Sequence, residues 1–160
     1  TTVRRFNIFR GNGISKMKIA IGSDHAGYRY KQAIIPMLKS MGHSVKDFGT
    51  TSNRAVDYPK FIFPFANAVA RKEFERGIVL GGSGNGEAIT ANRVPGIRCA
   101  LCINKDLARM SRKHNDANMI SLGQRMMTRD MALSCVKIWL TTPFDGGRHL
   151  KRIEMIDNLF

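Results

Sequence analysis

Short apolar runs alternate with longer amphipathic stretches five times along the chain. Lys18-Ile-Ala-Ile-Gly22, Ser44-Val-Lys-Asp-Phe48, Ile78-Val-Leu80, Arg98-Cys-Ala-Leu-Cys-Ile103 and Asn118-Met-Ile-Ser-Leu122 read as strands. Between them the apolar spacing becomes helical. Tyr30, Ile34, Leu38 and Met41 share one face of a helix expected over Tyr28 to Met41, which Gly42 ends and which Pro36 should deprive of a hydrogen bond and can kink. Pro59 suits the first turn of a second helix that runs through Ala66, Ala68 and Val69 to about Lys72. A short third helix covers Glu87 to Ala91, and a fourth covers Asp106 to about Lys113. A fifth sets Met131, Cys135 and Trp139 on one face with Ala132, Val136 and Leu140 beside it. A last helix carries Arg148, His149, Lys151 and Arg152. Strands joined by helix-length connections build a parallel sheet covered on both faces. The expected fold is therefore α/β, a single doubly wound, Rossmann-like domain with a five-stranded parallel sheet and a C-terminal helix, spanning residues 17–160.

The third strand breaks into Gly81-Gly-Ser-Gly-Asn-Gly-Glu87, four glycines in six positions followed by a carboxylate. Glycines let backbone amides approach a ligand where a Cβ would block them. Free N–H groups at a helix N-terminus hold an anion, either a phosphate or the oxyanion left when a proton leaves carbon beside a carbonyl. Glu87 would then be the base. The loop lacks the Gly-Lys-Ser/Thr ending of a Walker A sequence, and no register gives G-x-G-x-x-G, which argues against a nucleotide. Past the first strand comes Ser23-Asp24-His25, where open α/β sheets keep their chemistry. Ser23 or Asp24 can equally cap the next helix, whereas His25 has no such structural role. Arg148 and Arg152, four apart, project from one helix face and can converge on a phosphate.

With 160 residues, 43% of them hydrophobic, the chain suits one sizeable core, and it has no apolar run long enough to cross a bilayer. Three cysteines cannot pair completely, and Cys99 and Cys102 sit three apart on a strand, so they point to opposite faces. Neither a disulfide framework nor a redox or zinc pair is expected, and a cytoplasmic protein is. The net charge of +14 raises the possibility of nucleic acid. Its distribution argues otherwise: residues 1–16, expected to be a disordered basic extension, carry Arg4, Arg5, Arg10 and Lys16 with no acid, and the remaining basic residues are dispersed. A diffuse positive field suits small phosphorylated substrates.

Gly22-Ser-Asp-His-Ala-Gly27, Asp57-Tyr-Pro59, the glycine loop with Glu87, Asn92-Arg-Val-Pro-Gly-Ile-Arg98, His114-Asn115 and Gly146-Gly-Arg-His149 through Arg152 together resemble type B ribose-5-phosphate isomerases and the related galactose-6-phosphate isomerase subunits. The resemblance implies an aldose-ketose isomerase of the pentose phosphate pathway that interconverts ribose 5-phosphate and ribulose 5-phosphate without metal or other cofactor. It implies that His114 is the acid opening the furanose ring, that Asp24 and His25 contact the sugar, and that Gly82, Ser83, Gly84, Asn85 and Gly86 line the reacting end. Tyr58, Asn115, Arg125, Arg148 and Arg152 match further substrate or phosphate contacts. One branch of the family has a cysteine base where this chain has Gly81; this chain resembles the other branch, which implies that Glu87 is the base. The helix N-terminus lowers the pKa of Glu87 and burial raises it; the two effects oppose.

His114 and Asn115 follow a helix and precede a strand, which sets them at the opposite end of the sheet from Asp24, Ser83 and Glu87. Either the connection after the fourth helix doubles back, or these residues serve the site of a neighbouring subunit. The resemblance, to a family whose dimer shares residues across its interface, implies the second, a homodimer with composite active sites and a tetramer as a larger assembly, with neither nucleic acid nor membrane as partner. The competing functions are isomerisation of a hexose 6-phosphate of the galactose type and nucleic-acid binding through the basic charge.

Overall fold

The computed structural model describes residues 15–159. The expected extension falls almost wholly outside the described residues. Five parallel strands, β1 (Lys18–Ser23), β2 (Ser44–Asp47), β3 (Arg76–Gly81), β4 (Cys99–Leu101) and β5 (Met119–Gly123), form one sheet in the order β2-β1-β3-β5-β4. Six helices connect and follow them: α1 (Tyr28–Ser40), α2 (Pro59–Ala70), α3 (Asn85–Asn92), α4 (Lys105–Asn115), α5 (Arg129–Thr141) and α6 (Arg148–Asp157).

Period-two alternation in the strands divides the interior into two layers. Ile19, Ile21, Ile78, Leu80, Ile120 and Leu122 pack with α1 and α5, where Ile34, Leu38, Val136 and Trp139 are fully buried. On the other face Ala20, Val79 and Met119 meet Ile62, Phe65 and Ala66 of α2 and Ala91 of α3. Cys102 belongs to the first layer and Cys99 packs against the second, as their three-residue spacing on a strand requires.

Several boundaries differ from the sequence expectation. β4 is three residues long because it lies at the sheet edge with one neighbour, β5. Asn104 caps α4 by accepting from the Leu107 amide at 2.9 Å, and the helix continues through His114 and Asn115 to Asp116. These two residues thus occupy the last helical turn instead of following it. Pro36 sits within α1 on an exposed position, where water can satisfy the carbonyl one turn earlier. Asp24, not Ser23, supplies the cap: its side chain accepts from the Gly27 amide at 3.0 Å and closes a single 3-10 turn ahead of α1.

One feature of α1 runs against its pattern. Lys31 lies on the buried face, fully enclosed, with Nζ 2.8 Å from Asp47 Oδ1 and donating also to the Thr50 carbonyl. Asp47 Oδ1 in turn accepts from the Gly49 amide at 2.9 Å. The segment held in this way exchanges backbone hydrogen bonds with Ser23, which donates to the Gly49 carbonyl and accepts from the Thr50 amide. The buried ammonium therefore clamps the backbone immediately before Asp24. Among the described residues no helix is long and apolar enough to cross a membrane.

Candidate active site

All five strands run in the same direction, so their carboxyl ends open on one side of the sheet, and there the glycine loop lies between β1 and β5. Gly81 pairs with Gly123 at the ends of β3 and β5. Gln124 and Arg125 donate their amides to the Gly81 and Gly82 carbonyls at 2.8 and 2.9 Å, pinning the loop after β5 to the glycine loop. Gly84 takes φ +83° as it enters α3, the left-handed region that a Cβ disfavours, and Ser121 Oγ donates to its carbonyl at 2.7 Å.

Two further glycines are required by close approach. A Cβ at Gly81 would fall on the Glu87 carboxylate, and one at Gly86 would lie 2.5 Å from Tyr58 Cζ and Oη. The Glu87 side chain therefore folds back over the start of its own loop, and the Tyr58 ring stands against the loop backbone. Arg125 lies over Gly82, with Nη1 2.9 Å from where a Cβ would be. Ser83 and Asn85 are exposed, leaving their side chains open to a ligand, while Ser83 Oγ accepts from the Asn85 amide at 3.2 Å.

Glu87 is only 4% exposed, and burial pushes its carboxyl up to about 7. Hydrogen bonding to its own backbone amide pulls the other way, and the charge and hydrogen bonding of neighbouring Asp24 push it up further. Of the two effects weighed on sequence grounds, desolvation wins. Asp24 is 7% exposed and is fixed by its amide, which donates to the Leu80 carbonyl at 3.2 Å. His25 has a structural partner after all: Nδ1 accepts from the Val56 amide at 3.4 Å. That bond assigns the proton of the neutral ring to Nε2, a donor available to a ligand.

His114, Asn115, Arg148 and Arg152 are not brought to this cluster. α4 delivers His114 and Asn115, and α6 delivers Arg148 and Arg152, to the amino ends of the strands: Arg98, just before β4, donates to the Asn115 carbonyl at 2.9 Å and pairs with Asp157 of α6 at 2.8 Å. The Asp145 amide donates to the Lys113 carbonyl at 3.0 Å, which seats the start of α6 beside the end of α4. There the His114 and His149 rings stack at 4.4 Å between centroids, 15° from parallel. Arg148 and Arg152 are exposed beside them.

His114, His149 and Asp145 place three ligand atoms within 4.8 Å of one another, enough to raise the question of a metal. Stacked, nearly parallel rings direct their in-plane lone pairs side by side and not toward one point. Lys113, 3.9 Å from Asp145, and the guanidiniums of Arg148 and Arg152 add positive charge that disfavours a cation. An anion suits this end of the molecule better.

Sequence reasoning identified both groups but missed three contributors. His149 lies inside a segment that carries the resemblance but has no role of its own there, and Asp145 and Lys31 form no part of the sequence expectation. None carries a local signal, because each acts through a partner distant in sequence or on another element.

The Ribose/Galactose Isomerase family model matches residues 19–156. Ribose-5-phosphate isomerase B of Mycolicibacterium paratuberculosis is 45% identical over 142 residues, covering 88% of this chain and 89% of the relative. Among solved structures, Clostridium thermocellum ribose-5-phosphate isomerase B superposes with a TM-score of 0.88 at 52% identity, covering 89% of this chain and 97% of the other. Ribose-5-phosphate isomerase B of Mycoplasma genitalium, solved with bound ribulose 5-phosphate, gives a TM-score of 0.85 at 35% identity over 88% of this chain and 93% of the other.

Proposed function

Because this chain belongs to the ribose/galactose isomerase family, we propose that it is an aldose-ketose isomerase interconverting ribose 5-phosphate and ribulose 5-phosphate, with Glu87 as the base. The observation that carries the base assignment is the enclosed Glu87 carboxyl, with its pKa near 7, folded against a loop of glycine amides. A base poised near neutrality can both take and return a proton.

The reaction begins with the closed sugar. His114 gives a proton to the ring oxygen as the C1–O4 bond breaks, and Asp24 takes the proton of the anomeric hydroxyl as the C1 carbonyl forms. Glu87 then removes the C2 proton, and the electron pair moves into an enediolate whose negative oxygen faces the amides of residues 82–86. Losing one such donor typically costs on the order of 2.7 to 4 kcal/mol of transition-state stabilisation. Ser83 relays the hydroxyl proton from O2 to O1, and Glu87 returns its proton to C1. Arg125, Arg148 and Arg152 bind the phosphate, Asn115, His25 and Tyr58 hold the sugar, and no metal takes part.

Within one chain the base and the ring-opening acid lie at opposite ends of the sheet. The working unit is therefore a homodimer in which His114, Asn115, Arg148 and Arg152 of the partner subunit complete the site around Glu87, Asp24 and Ser83. Positive charge spread over the surface draws in the phosphorylated substrate.

Proton exchange tests the reading. In heavy water, ribulose 5-phosphate formed by the protein should carry deuterium at C1, and recovered ribose 5-phosphate should carry it at C2. Glu87→Gln should abolish both labels while leaving phosphate affinity roughly intact. Normal turnover by the glutamine variant would remove Glu87 from the mechanism, and turnover of a hexose 6-phosphate in place of the pentose would change the substrate.

A further inference from the structure

The scheme above leaves the His114–His149 stack at the amino-end cluster without a role. We propose that His149 is a positioning residue for His114: its ring, fixed at the start of α6, holds the His114 imidazole in the orientation from which it protonates the sugar ring oxygen. The proposal rests on His114 being the ring-opening acid, and its test separates the two ideas.

Three observations support it. The rings lie 4.4 Å apart at 15°, so the face of one covers the face of the other and limits rotation about the His114 side-chain bonds. His114 occupies the last turn of α4, and among the described residues its ring has the stacking contact with His149 and no hydrogen bond that would fix it. His149, by contrast, sits on an anchored backbone. Its amide donates to the Gly146 carbonyl at 3.2 Å, and Asp145 is tied to the Lys113 carbonyl at 3.0 Å, so the stacking platform is bolted to the helix that carries its target.

The surrounding charges make the pair workable. Desolvation, then His114, Arg148 and Arg152, hold the His149 pKa below its ordinary value, with Asp145 opposing them. Lys113 stands 3.9 Å from Asp145, and beyond it at this end Arg98, Arg112, Asp116 and Asp157 pair with one another. That depression disfavours a second imidazolium across the stack from His114. An orienting contact of this kind acts on the ring-opening step alone, because ribulose 5-phosphate has no ring to open.

The experiment compares His149→Ala and His149→Phe with the wild type. With ribose 5-phosphate, the alanine variant should lose on the order of tenfold in kcat with KM within about twofold. The phenylalanine variant, which restores a flat partner, should recover most of that loss. Exchange of the C1 proton of ribulose 5-phosphate in heavy water should match the wild type in both variants. Equal losses in turnover and exchange, or no loss in either, would overturn the proposal. Independently of any activity, the His114 ring C–H resonances should move downfield in His149→Ala and stay near their wild-type positions in His149→Phe. Unmoved resonances in the alanine variant would show that the stack does not form and overturn the proposal, while the expected resonance shift in that variant together with a wild type that neither isomerises nor exchanges would count against the proposed function instead.

Discussion

Replacing Glu87 by glutamine should abolish activity and at the same time make the protein more stable above pH 7. Burial pushes the Glu87 carboxyl from its ordinary 4.5 up to about 7 in the folded state. Between those values the folded chain holds a proton that the unfolded chain has released, so the free energy of unfolding falls as pH rises. The stabilising contribution is complete below about pH 4.5 and is lost as pH passes 7. That separation corresponds to about 3 kcal/mol in full, of which about 2 kcal/mol lies between pH 5 and pH 8. Glutamine has the same shape and cannot ionise, so the variant lacks this slope. Urea unfolding of both proteins at one fixed concentration, at pH 5 and at pH 8, measures it directly. The glutamine variant should gain about 2 kcal/mol on the wild type between the two conditions. A difference that stays constant across that range would mean that Glu87 is not held in a desolvating site, and the argument for a base poised near neutrality would go with it.

Gly81→Ala puts a methyl group where the Glu87 carboxylate now lies, so kcat should drop on the order of a hundredfold while far-UV circular dichroism stays native; full activity would refute the close packing of loop and base. Mixing Glu87→Gln with His114→Asn, each inactive alone, and letting subunits exchange should restore about a quarter of wild-type activity, because each mixed dimer then holds one intact composite site. No recovery after confirmed exchange would place base and acid within one chain. Lys31→Met strands Asp47 beside the loop before Asp24 and should lower the unfolding free energy by about 3 kcal/mol in urea titrations; a shift below about 0.5 kcal/mol would mean the clamp carries little.

The amino-acid sequence by itself determined the alternation of strands and helices, the parallel sheet and the position of the glycine loop. Each of these follows from short-range rules: a period of two or 3.6 in apolar positions, a proline such as Pro59 in a first helical turn, and glycines such as Gly84 where the backbone must turn left-handed. The closeness of Glu87 to the loop amides was legible for the same reason, since they are neighbours in the chain. Edges were less so, because the length of β4 depends on having β5 as its one neighbour, which no local pattern records.

Tertiary structure decided the rest. Whether Glu87 is raised or lowered in pKa turned on how deeply the fold buries its carboxyl, a quantity that sums contacts from distant segments. The buried Lys31 became intelligible only when Asp47 and Thr50 were seen beside it. His149 acquired a partner only because α6 folds back onto α4, bringing together two histidines 35 positions apart in the chain. The separation of His114 from Glu87 was foreseen from winding, yet its firmness comes from the Arg98 contacts to Asn115 and Asp157 that bind that end of the molecule. Local pattern dictates which elements form, and the low-dielectric environment made by their assembly dictates what the side chains at their ends can do.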